Sequence, residues 1–274
     1  MSDEFGRPSI SAALNGHRNS LGIIRLILAS LVIVDHAFPL GGFGADPFWT
    51  ITRGQASLGA IAVAGFFAVS GYLIAKSGMS GDVVQFLWRR VLRIFPAYWT
   101  VLLITAFVVA PALWIVGGEA LAPYFAGTPT GSTPYFYFTG NWSLQIGTYG
   151  IYDILKETTP YGREVGASAF NGSLWTLIYE WRSYLIIAAL VAFGVLTRAR
   201  ILVPLLTAFF LMLQILLGLN AQFEQSIVPT FLGDQYMVTL GFTFLVGSTI
   251  AVYSKQIPYD HRLGLFSFLL MIAT

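Results

Sequence analysis

Residues 21–38 read LGIIRLILASLVIVDHAF, an apolar stretch of helix length that contains three ionisable side chains, Arg25, Asp35 and His36. Ionisable groups at membrane depth are costly, so a chain keeps them where they face the protein interior or a wet cavity and have a function. The step from Arg25 to His36 is about 1100° of helical rotation, roughly 20° from three full turns, with about 16 Å of rise. The two side chains therefore share one helix face at opposite ends. Asp35 points about 100° away from His36, and we assign it a structural role.

The amino-acid composition is that of an integral membrane protein. Of 274 residues, 56% are hydrophobic and 10% are charged, against roughly 25% charged residues in an ordinary soluble domain, and the mean hydropathy is +0.71. The net charge of +2 gives no reason to expect a nucleic-acid partner. The absence of cysteine excludes disulfides, thiolate catalysis and cysteine-ligated metals. With only His17, His36 and His261 as histidines, we expect no metal site.

Apolar runs long enough to span a bilayer occur at six places, and a seventh run begins near Leu263. The six runs are 21–38, 57–76, 97–117, 174–196, 201–219 and 231–252. The seventh reaches Thr274 after about a dozen residues, too few to cross roughly 30 Å of hydrocarbon, so we expect a chain truncated at its C-terminal end. The pattern predicts an all-α, polytopic transmembrane helical bundle with about seven helices in this chain. The polar segment 1–20 is interpreted as a cytoplasmic lead-in, and 21–274 as one transmembrane domain.

The basic residues are distributed unequally between alternate loops, and this asymmetry predicts the orientation of the chain. With a cytoplasmic N-terminus, the cytoplasmic segments carry Arg7, Arg18, Lys76, Arg89, Arg90, Arg93, Arg198, Arg200, Lys255 and Arg262. The outer loops then carry only Arg53, Lys156 and Arg163. This is the positive-inside pattern. It places Arg25 near the cytoplasmic face and His36 near the outer face.

The aromatic segment 135–155 (YFYFTGNWSLQIGTYGIYDIL) leaves the number of crossings open. Its length would allow it to enter the membrane, but Asn141, Gln145, Asp153 and several glycines argue against a span. We favour an interfacial or re-entrant excursion within a long outer loop, because a crossing would move the basic pair at 198 and 200 outside. If the segment does cross, every later assignment of sides inverts.

The second run, SLGAIAVAGFFAVSGYLIAK, carries a stripe of small residues at spacings of three or four. The stripe consists of Ala60, Ala64, Ala68, Gly71 and Ala75. Small residues let helix backbones approach closely in lipid, so we interpret the stripe as a packing face. Ser70, beside Gly71, could in principle be a nucleophile. However, no G-x-S-x-G elbow surrounds it, and a membrane serine more often bonds to its own helix.

Three arginines precede the third run in FLWRRVLRIFPAYW (86–99). Arg89 and Arg93 are i, i+4 neighbours, Arg90 and Arg93 are i, i+3 neighbours, and Pro96 is expected to break or restart the helix. Three guanidinium groups at the cytoplasmic interface suit an anion such as phosphate. Anchoring of the topology, together with contact to anionic lipid headgroups, explains the same residues equally well.

Glu180 lies about two turns inside the fourth run, in NGSLWTLIYEWRSY (171–184). A carboxylate at that depth is either paired structurally or held for proton transfer. Glu180 and His36 both lie toward the outer side, where they could form a general-base pair. In that pair the imidazole takes a hydroxyl proton and the carboxylate orients the ring. The alternative is that Glu180 neutralises Arg182 or another membrane arginine.

Four motifs together resemble the membrane-bound acyltransferase-3 family, whose members are multispanning bacterial O-acyltransferases that modify surface polysaccharides and related envelope acceptors. They are the R-x10-H pair Arg25/His36, GFFAVSGYLI (65–74), RRVLRIFPAYW (89–99) and GSLWTLIYEW (172–181). Each motif alone is weak. Their order and spacing across residues 20–185 make the combination specific.

The resemblance implies transfer of an acyl group, usually acetyl, from cytoplasmic acyl-CoA to an extracytoplasmic hydroxyl of a carbohydrate or glycolipid. It implies a place in the bacterial cytoplasmic membrane, acetyl-CoA as co-substrate and no bound cofactor. The family pattern makes His36 and Arg25 functionally necessary. It also gives weight to the arginine cluster Arg89, Arg90 and Arg93, and to Trp175 and Glu180. Members of the family usually have about ten spans, so this chain is expected to lack the C-terminal helices.

The resulting hypothesis assigns Arg25 and the arginine cluster to the phosphates of CoA. The thioester would extend along the Arg25-to-His36 face. His36, helped by Glu180, would deprotonate the acceptor hydroxyl, directly or through an acyl intermediate. Supporting positions are Trp175, Ser70 and Gly71. Two other classes stay open: a proton-coupled transporter, which discontinuous helices in matched halves would favour, and a non-catalytic membrane scaffold or sensor.

Overall fold

The computed structural model describes residues 8–14, 20–127, 129, 131–219, 232–260 and 262. In chain order the helical elements are α1 (Ile10–Ala13), α2 (Leu21–Gly41), α3 (Pro47–Ile51), α4 (Leu58–Gly78), α5 (Val83–Ile104), a π-helical turn (Thr105–Val109), α6 (Ala110–Val116), α7 (Leu121–Ala126), α8 (Pro134–Asn141), α9 (Pro160–Val165), a 3-10 turn (Gly172–Thr176), α10 (Leu177–Ala192), α11 (Val195–Arg198), α12 (Leu202–Leu219) and α13 (Gln235–Val252). Within these described residues there is no β-strand, only an isolated bridge between Ser9 and Pro258. The seventh apolar run, together with Arg7, His17, Arg18 and His261, lies outside the described residues.

Six helical segments in the described part of the chain are long and apolar enough to cross a membrane. They are Leu21–Gly41, Leu58–Gly78, Val83–Val116, Gly172–Ala192, Leu202–Leu219 and Gln235–Val252. Each overlaps one of the six predicted runs. The all-α, polytopic membrane fold expected from the sequence is therefore confirmed.

The third span differs from the prediction at Pro96, which neither breaks nor restarts the helix. α5 continues through Pro96 from Val83 to Ile104. Proline removes one hydrogen bond from the helical ladder, but transmembrane helices tolerate this loss because neighbouring groups satisfy the freed carbonyl. The arginine cluster therefore lies on the same continuous helix as the membrane span, and the π-helical turn at Thr105–Val109 leads from it into α6.

The segment 135–155 contains no helix of spanning length. α8 has eight residues, about 12 Å of rise, and turns follow it. Asn141 organises those turns: its amide nitrogen donates to the Thr148 carbonyl at 2.8 Å, and its Oδ1 accepts the backbone N–H of Gly147 at 2.7 Å. The alternative of an additional helical crossing is excluded. The interfacial position of the segment stays a prediction.

Contact between the two ends of the six-span region supports an even number of crossings. Ser9 pairs with Pro258 in an antiparallel bridge, and the backbone N–H of Tyr259 donates to the Pro8 carbonyl at 2.7 Å. One of these segments precedes the first span and the other follows the sixth. They can pair only on the same side of the membrane. Six crossings satisfy that condition, and seven would not.

The chain forms two compact units, with boundaries within α2, α4 and α10 and a fourth between α4 and α5. The first unit comprises Met1–Ala29, Val63–Gly81 and Ala189–Thr274. The second comprises Ser30–Ala62 and Asp82–Ala188. Both units draw on the region that the sequence analysis treats as one transmembrane domain.

In the first unit, α4 and α13 pack in direct backbone contact. A Cβ atom on Gly71 would overlap the carbonyl group of Phe244, and one on Gly247 would overlap the carbonyl group of Ala68. The buried Ser248 hydroxyl donates to the Gly71 carbonyl at 3.2 Å and to the Phe244 carbonyl at 3.0 Å. Ala68 and Gly71 of the small-residue stripe therefore form a packing face, as predicted, whereas Ala60 is exposed.

Replacing Gly71 with alanine is expected to lower the free energy of unfolding by about 1–3 kcal/mol, as overpacking of a tight interface does. The reason is that the added methyl group must displace a backbone carbonyl rather than a movable side chain. Thermal unfolding in detergent, followed by tryptophan fluorescence, measures the change. Gly218→Ala in α12 is the matched control, because a Cβ atom there meets nothing within 4 Å. Equal midpoints for Gly71→Ala and the wild type would contradict the close approach.

Candidate active site

His36 lies near the end of α2 in the second unit, with its side chain 41% exposed. Its Nδ1 atom is 2.8 Å from the carbonyl oxygen of Val32, one helical turn earlier. A carbonyl oxygen can only accept a hydrogen bond, so Nδ1 is the nitrogen that carries the proton. In the neutral ring Nε2 then holds the lone pair. The backbone of α2 thus orients the ring so that Nε2 is the nitrogen able to accept a proton.

Asp35 contacts the same ring nitrogen, although the sequence analysis places it on another face of the helix. Its Oδ2 atom is 3.5 Å from His36 Nδ1, and its side chain is 18% exposed. The carboxyl group packs against Gly59 in the first turn of α4, where a Cβ atom would overlap Oδ2. Helical positions one residue apart differ by 100° at the backbone, but their side-chain tips can still converge. The adjacent Asp-His pair in an apolar run is the signal that could have found this contact.

Glu180 bonds to its own helix and not to His36. The hydroxyl of Tyr184, one turn later on α10, donates to Glu180 Oε1. Among the described residues, no ion pair or hydrogen bond joins Glu180 to His36. The structure therefore does not bring the expected His36–Glu180 pair into direct contact.

Arg90 provides the charge beside Glu180. Its guanidinium lies over the Phe86 ring at 5.5 Å and over the Tyr184 ring at 5.7 Å, and Glu180 is within its electrostatic range. Arg182, the other arginine considered for Glu180, lies over the Tyr179 ring at 5.8 Å. Within the second unit, Arg90 and Tyr184 are therefore the groups near Glu180, an environment closer to the alternative in which Glu180 balances a membrane arginine than to a pair with His36.

The other predicted site residues are in different environments. Arg89 and Arg93 are exposed on α5, and Arg25 is exposed on the part of α2 that belongs to the first unit. Trp175 packs edge-to-face on Tyr179 at 5.6 Å between ring centroids. In the first unit, Ser70 is half-buried next to Gly71 in the contact of α4 with α13. No group of three or more metal-ligating side chains occurs in the described part of the chain.

Asn171 positions the start of the GSLWTLIYEW motif, and the sequence analysis did not single it out. Its backbone is left-handed, with φ of 53°, a conformation that asparagine adopts more readily than most residues. Its amide nitrogen donates to Thr105 Oγ1 at 2.7 Å and to the Tyr137 hydroxyl at 3.1 Å. Burial raises the pKa of Tyr137 above its ordinary value of 10.0. The Asn-Gly dipeptide is the sequence signal for this turn.

Thr105 begins the π-helical turn of the third span, so Asn171 joins two irregular segments of the second unit. Such π-helical turns occur frequently at functional sites. The 3-10 turn that follows Asn171 leads directly into α10. Asn171 therefore helps to set the position of Trp175 and Glu180.

Replacing Tyr184 with phenylalanine is expected to lower the free energy of unfolding by about 1–3 kcal/mol. The change removes a hydrogen bond and leaves the carboxyl group of Glu180 without its donor. The loss should be smaller in a Glu180→Gln background, where the acceptor is already altered. Thermal unfolding of the two single variants and the double variant completes a double-mutant cycle. Strictly additive effects would contradict the Tyr184–Glu180 bond.

The sequence of the chain matches one protein family and two proteins of known name. The acyltransferase domain family (acyltransferase-3) matches residues 18–274. The chain is 30% identical over 240 residues to an O-acetyl transferase of Shigella phage Sf6, an alignment that covers 87% of this chain and 63% of that protein. It is 34% identical over 173 residues to Nodulation protein 10 of Rhizobium leguminosarum bv. viciae, covering 62% of this chain and 43% of that protein. No solved structure matches.

The chain thus spans less than two thirds of the length of these relatives. The family match nevertheless covers nearly all of it, including the four motifs that carry the resemblance. The resemblance inferred from the sequence is confirmed, and the protein belongs to the acyltransferase-3 family of membrane acyltransferases.

Proposed function

We propose that the protein is an O-acyltransferase that moves an acyl group, in the first place acetyl, from cytoplasmic acyl-CoA to a hydroxyl of an extracytoplasmic carbohydrate or cell-envelope glycan. The observation that carries the proposal is the His36 ring, whose Nδ1 is held by the Val32 carbonyl so that Nε2 can accept a proton. Membership of an acyltransferase family and the relative named O-acetyl transferase support the reaction class. The transporter alternative gains no support from these comparisons.

In the proposed reaction, His36 Nε2 takes the proton of the acceptor hydroxyl while the hydroxyl oxygen attacks the thioester carbonyl. The new C–O bond forms and the C–S bond breaks, so that CoA leaves as a thiolate. The proton held on His36 then passes to the sulfur. The products are an ester and free CoA, and the imidazole returns to its starting state.

On the donor side, we assign CoA phosphates to Arg89 and Arg93, exposed guanidinium groups of the second unit suited to bidentate phosphate binding. Arg25, exposed in the first unit, is assigned the same kind of ligand because of its place in the family motif. Arg90 belongs to the same cluster, but its contacts with Tyr184 and Phe86 give it a second role in holding α5 against α10. In this proposal these arginines lie on the cytoplasmic side of the bacterial inner membrane, together with the N-terminus, and the positive-inside pattern supports that orientation.

Glu180 has an indirect role in this proposal. It accepts the hydroxyl of Tyr184, and its charge acts on Arg90, so in this proposal it stabilises the polar interior of the second unit. Trp175, by packing on Tyr179, supports the same helix. Ser70 and Gly71 are given a packing role in the contact of α4 with α13 and no covalent chemistry.

Replacing His36 with alanine is expected to lower kcat for acetyl transfer by about 10²- to 10⁴-fold, the usual contribution of a general base. The assay uses membranes from cells that express the full chain, supplied with [14C]acetyl-CoA, and counts label in the envelope glycan fraction. Membranes without the gene give the background. Arg53→Ala, an outer-loop variant, is the control. A normal rate in His36→Ala would rule out the proposed base.

Replacing Arg25 with alanine is expected to raise the apparent KM for acetyl-CoA by about tenfold, because one charge-assisted hydrogen bond to phosphate is lost. Since Arg25 does not touch the reacting atoms in this proposal, kcat should change little. Arg198→Ala is the matched control, as an arginine predicted on the same side but outside the donor set. An unchanged KM in Arg25→Ala would show that Arg25 has a structural role only.

A further inference from the structure

Asp35 forms an ion-pair contact with His36, and the reaction described above does not use it. Its Oδ2 atom lies 3.5 Å from His36 Nδ1, the nitrogen that already donates to the Val32 carbonyl at 2.8 Å. We propose that Asp35 is a positioning residue for His36: it holds the ring with Nε2 facing the acceptor and stabilises the imidazolium formed during transfer. This inference rests on the proposed function and adds a residue to it.

The two partners of Nδ1 have different effects on the reaction. The Val32 carbonyl is a neutral acceptor that fixes the tautomer and the orientation of the ring in both charge states. The Asp35 carboxylate attracts the positively charged ring much more strongly than the neutral ring, since opposite charges at this distance interact directly. An interaction that strengthens as charge develops lowers the barrier of the chemical step, whereas one of constant strength does not. The charge on Asp35 should therefore act on kcat.

The surroundings of Asp35 hold its carboxyl group at this position. It packs against Gly59 so closely that a Cβ atom at that residue would overlap Oδ2. Gly59 lies in the first turn of α4, and the N-terminal end of a helix favours a neighbouring negative charge. The tight contact limits the rotamers open to Asp35, so the carboxyl group stays beside the ring.

A second carboxyl group in the same unit serves a different purpose and provides the comparison. Asp46 is buried, accepts the backbone N–H of Phe48 at 2.9 Å and also contacts the N–H of Leu58 at 3.4 Å. It is the N-cap of α3, and asparagine caps helices about as well as aspartate. Removing the charge of Asp46 should therefore leave the reaction unchanged.

The test compares Asp35→Asn, Asp35→Glu and Gly59→Ala with two control variants, Asp46→Asn and Gly22→Ala. A Cβ atom at Gly22 meets nothing within 4 Å. Membranes containing the full chain receive [14C]acetyl-CoA, and kcat and the KM for acetyl-CoA are determined from label in the envelope glycan fraction. The amount of protein and its thermal midpoint are measured in the same preparations.

Asp35→Asn is expected to lower kcat by about 10- to 100-fold, the usual cost of losing a group that orients a functional histidine. The KM for acetyl-CoA should stay within about twofold of the wild-type value, because donor binding is untouched. Asp35→Glu keeps the charge and should recover part of the lost kcat. Gly59→Ala should lower kcat in the same direction, since its methyl group displaces the carboxyl group from the ring.

Two results overturn the inference while leaving the proposed function intact. The first is a normal kcat in Asp35→Asn when His36→Ala has lost activity. The second is a loss that appears in KM or in the thermal midpoint alone, which indicates a purely structural role. If Asp35→Asn does not accumulate, a normal kcat in Gly59→Ala overturns the inference instead. No acetyl transfer by the wild type, or full activity of His36→Ala, would overturn the proposed function as well.

Discussion

Inside a membrane, a polar group must find its partner within the protein, because the hydrocarbon offers none. The candidate site is organised by that requirement. The Val32 carbonyl accepts a hydrogen bond from His36 Nδ1, and Glu180 accepts one from the Tyr184 hydroxyl. The guanidinium of Arg90 lies over two aromatic rings. Each partner lies on the same helix or on a helix packed within the same unit. The hydrogen bonds of His36 and Tyr184 thereby fix the orientation of these side chains as well as satisfying their donors.

Close backbone approach is the second requirement, and glycine provides it in both units. In the first unit, Gly71 of α4 lies against a carbonyl group of α13, and Gly247 of α13 lies against a carbonyl group of α4. Ser248 adds hydrogen bonds where the two helices cross. In the second unit, Gly59 allows the carboxyl group of Asp35 to lie on the first turn of α4. The lack of a side chain allows helix packing at Gly71 and Gly247, and it leaves room for a carboxyl group at Gly59.

The contacts of Glu180 change the interpretation of the charged groups in the spans. A histidine and a carboxylate at similar depth suggested a catalytic pair, yet Glu180 belongs with Tyr184 and Arg90. The carboxyl group that does contact His36 is its neighbour in sequence, Asp35. One acidic residue thus bonds to a tyrosine near a half-buried arginine, while the other is assigned to the histidine by our proposal. Depth in the membrane alone does not choose between these roles.

The sequence by itself determined the spans, their number among the described residues, the small-residue packing face and the family, because these depend on local hydrophobicity, residue size and motif order. Helix continuity through Pro96 was not predictable, since a proline ends a helix in water but is tolerated where neighbouring helices satisfy the freed carbonyl. Only the tertiary structure decided the partners of Glu180 and Asp35. The physical reason is that helical periodicity gives the direction in which a side chain leaves the backbone, whereas its partner depends on which helix packs there and on where the side-chain tips meet.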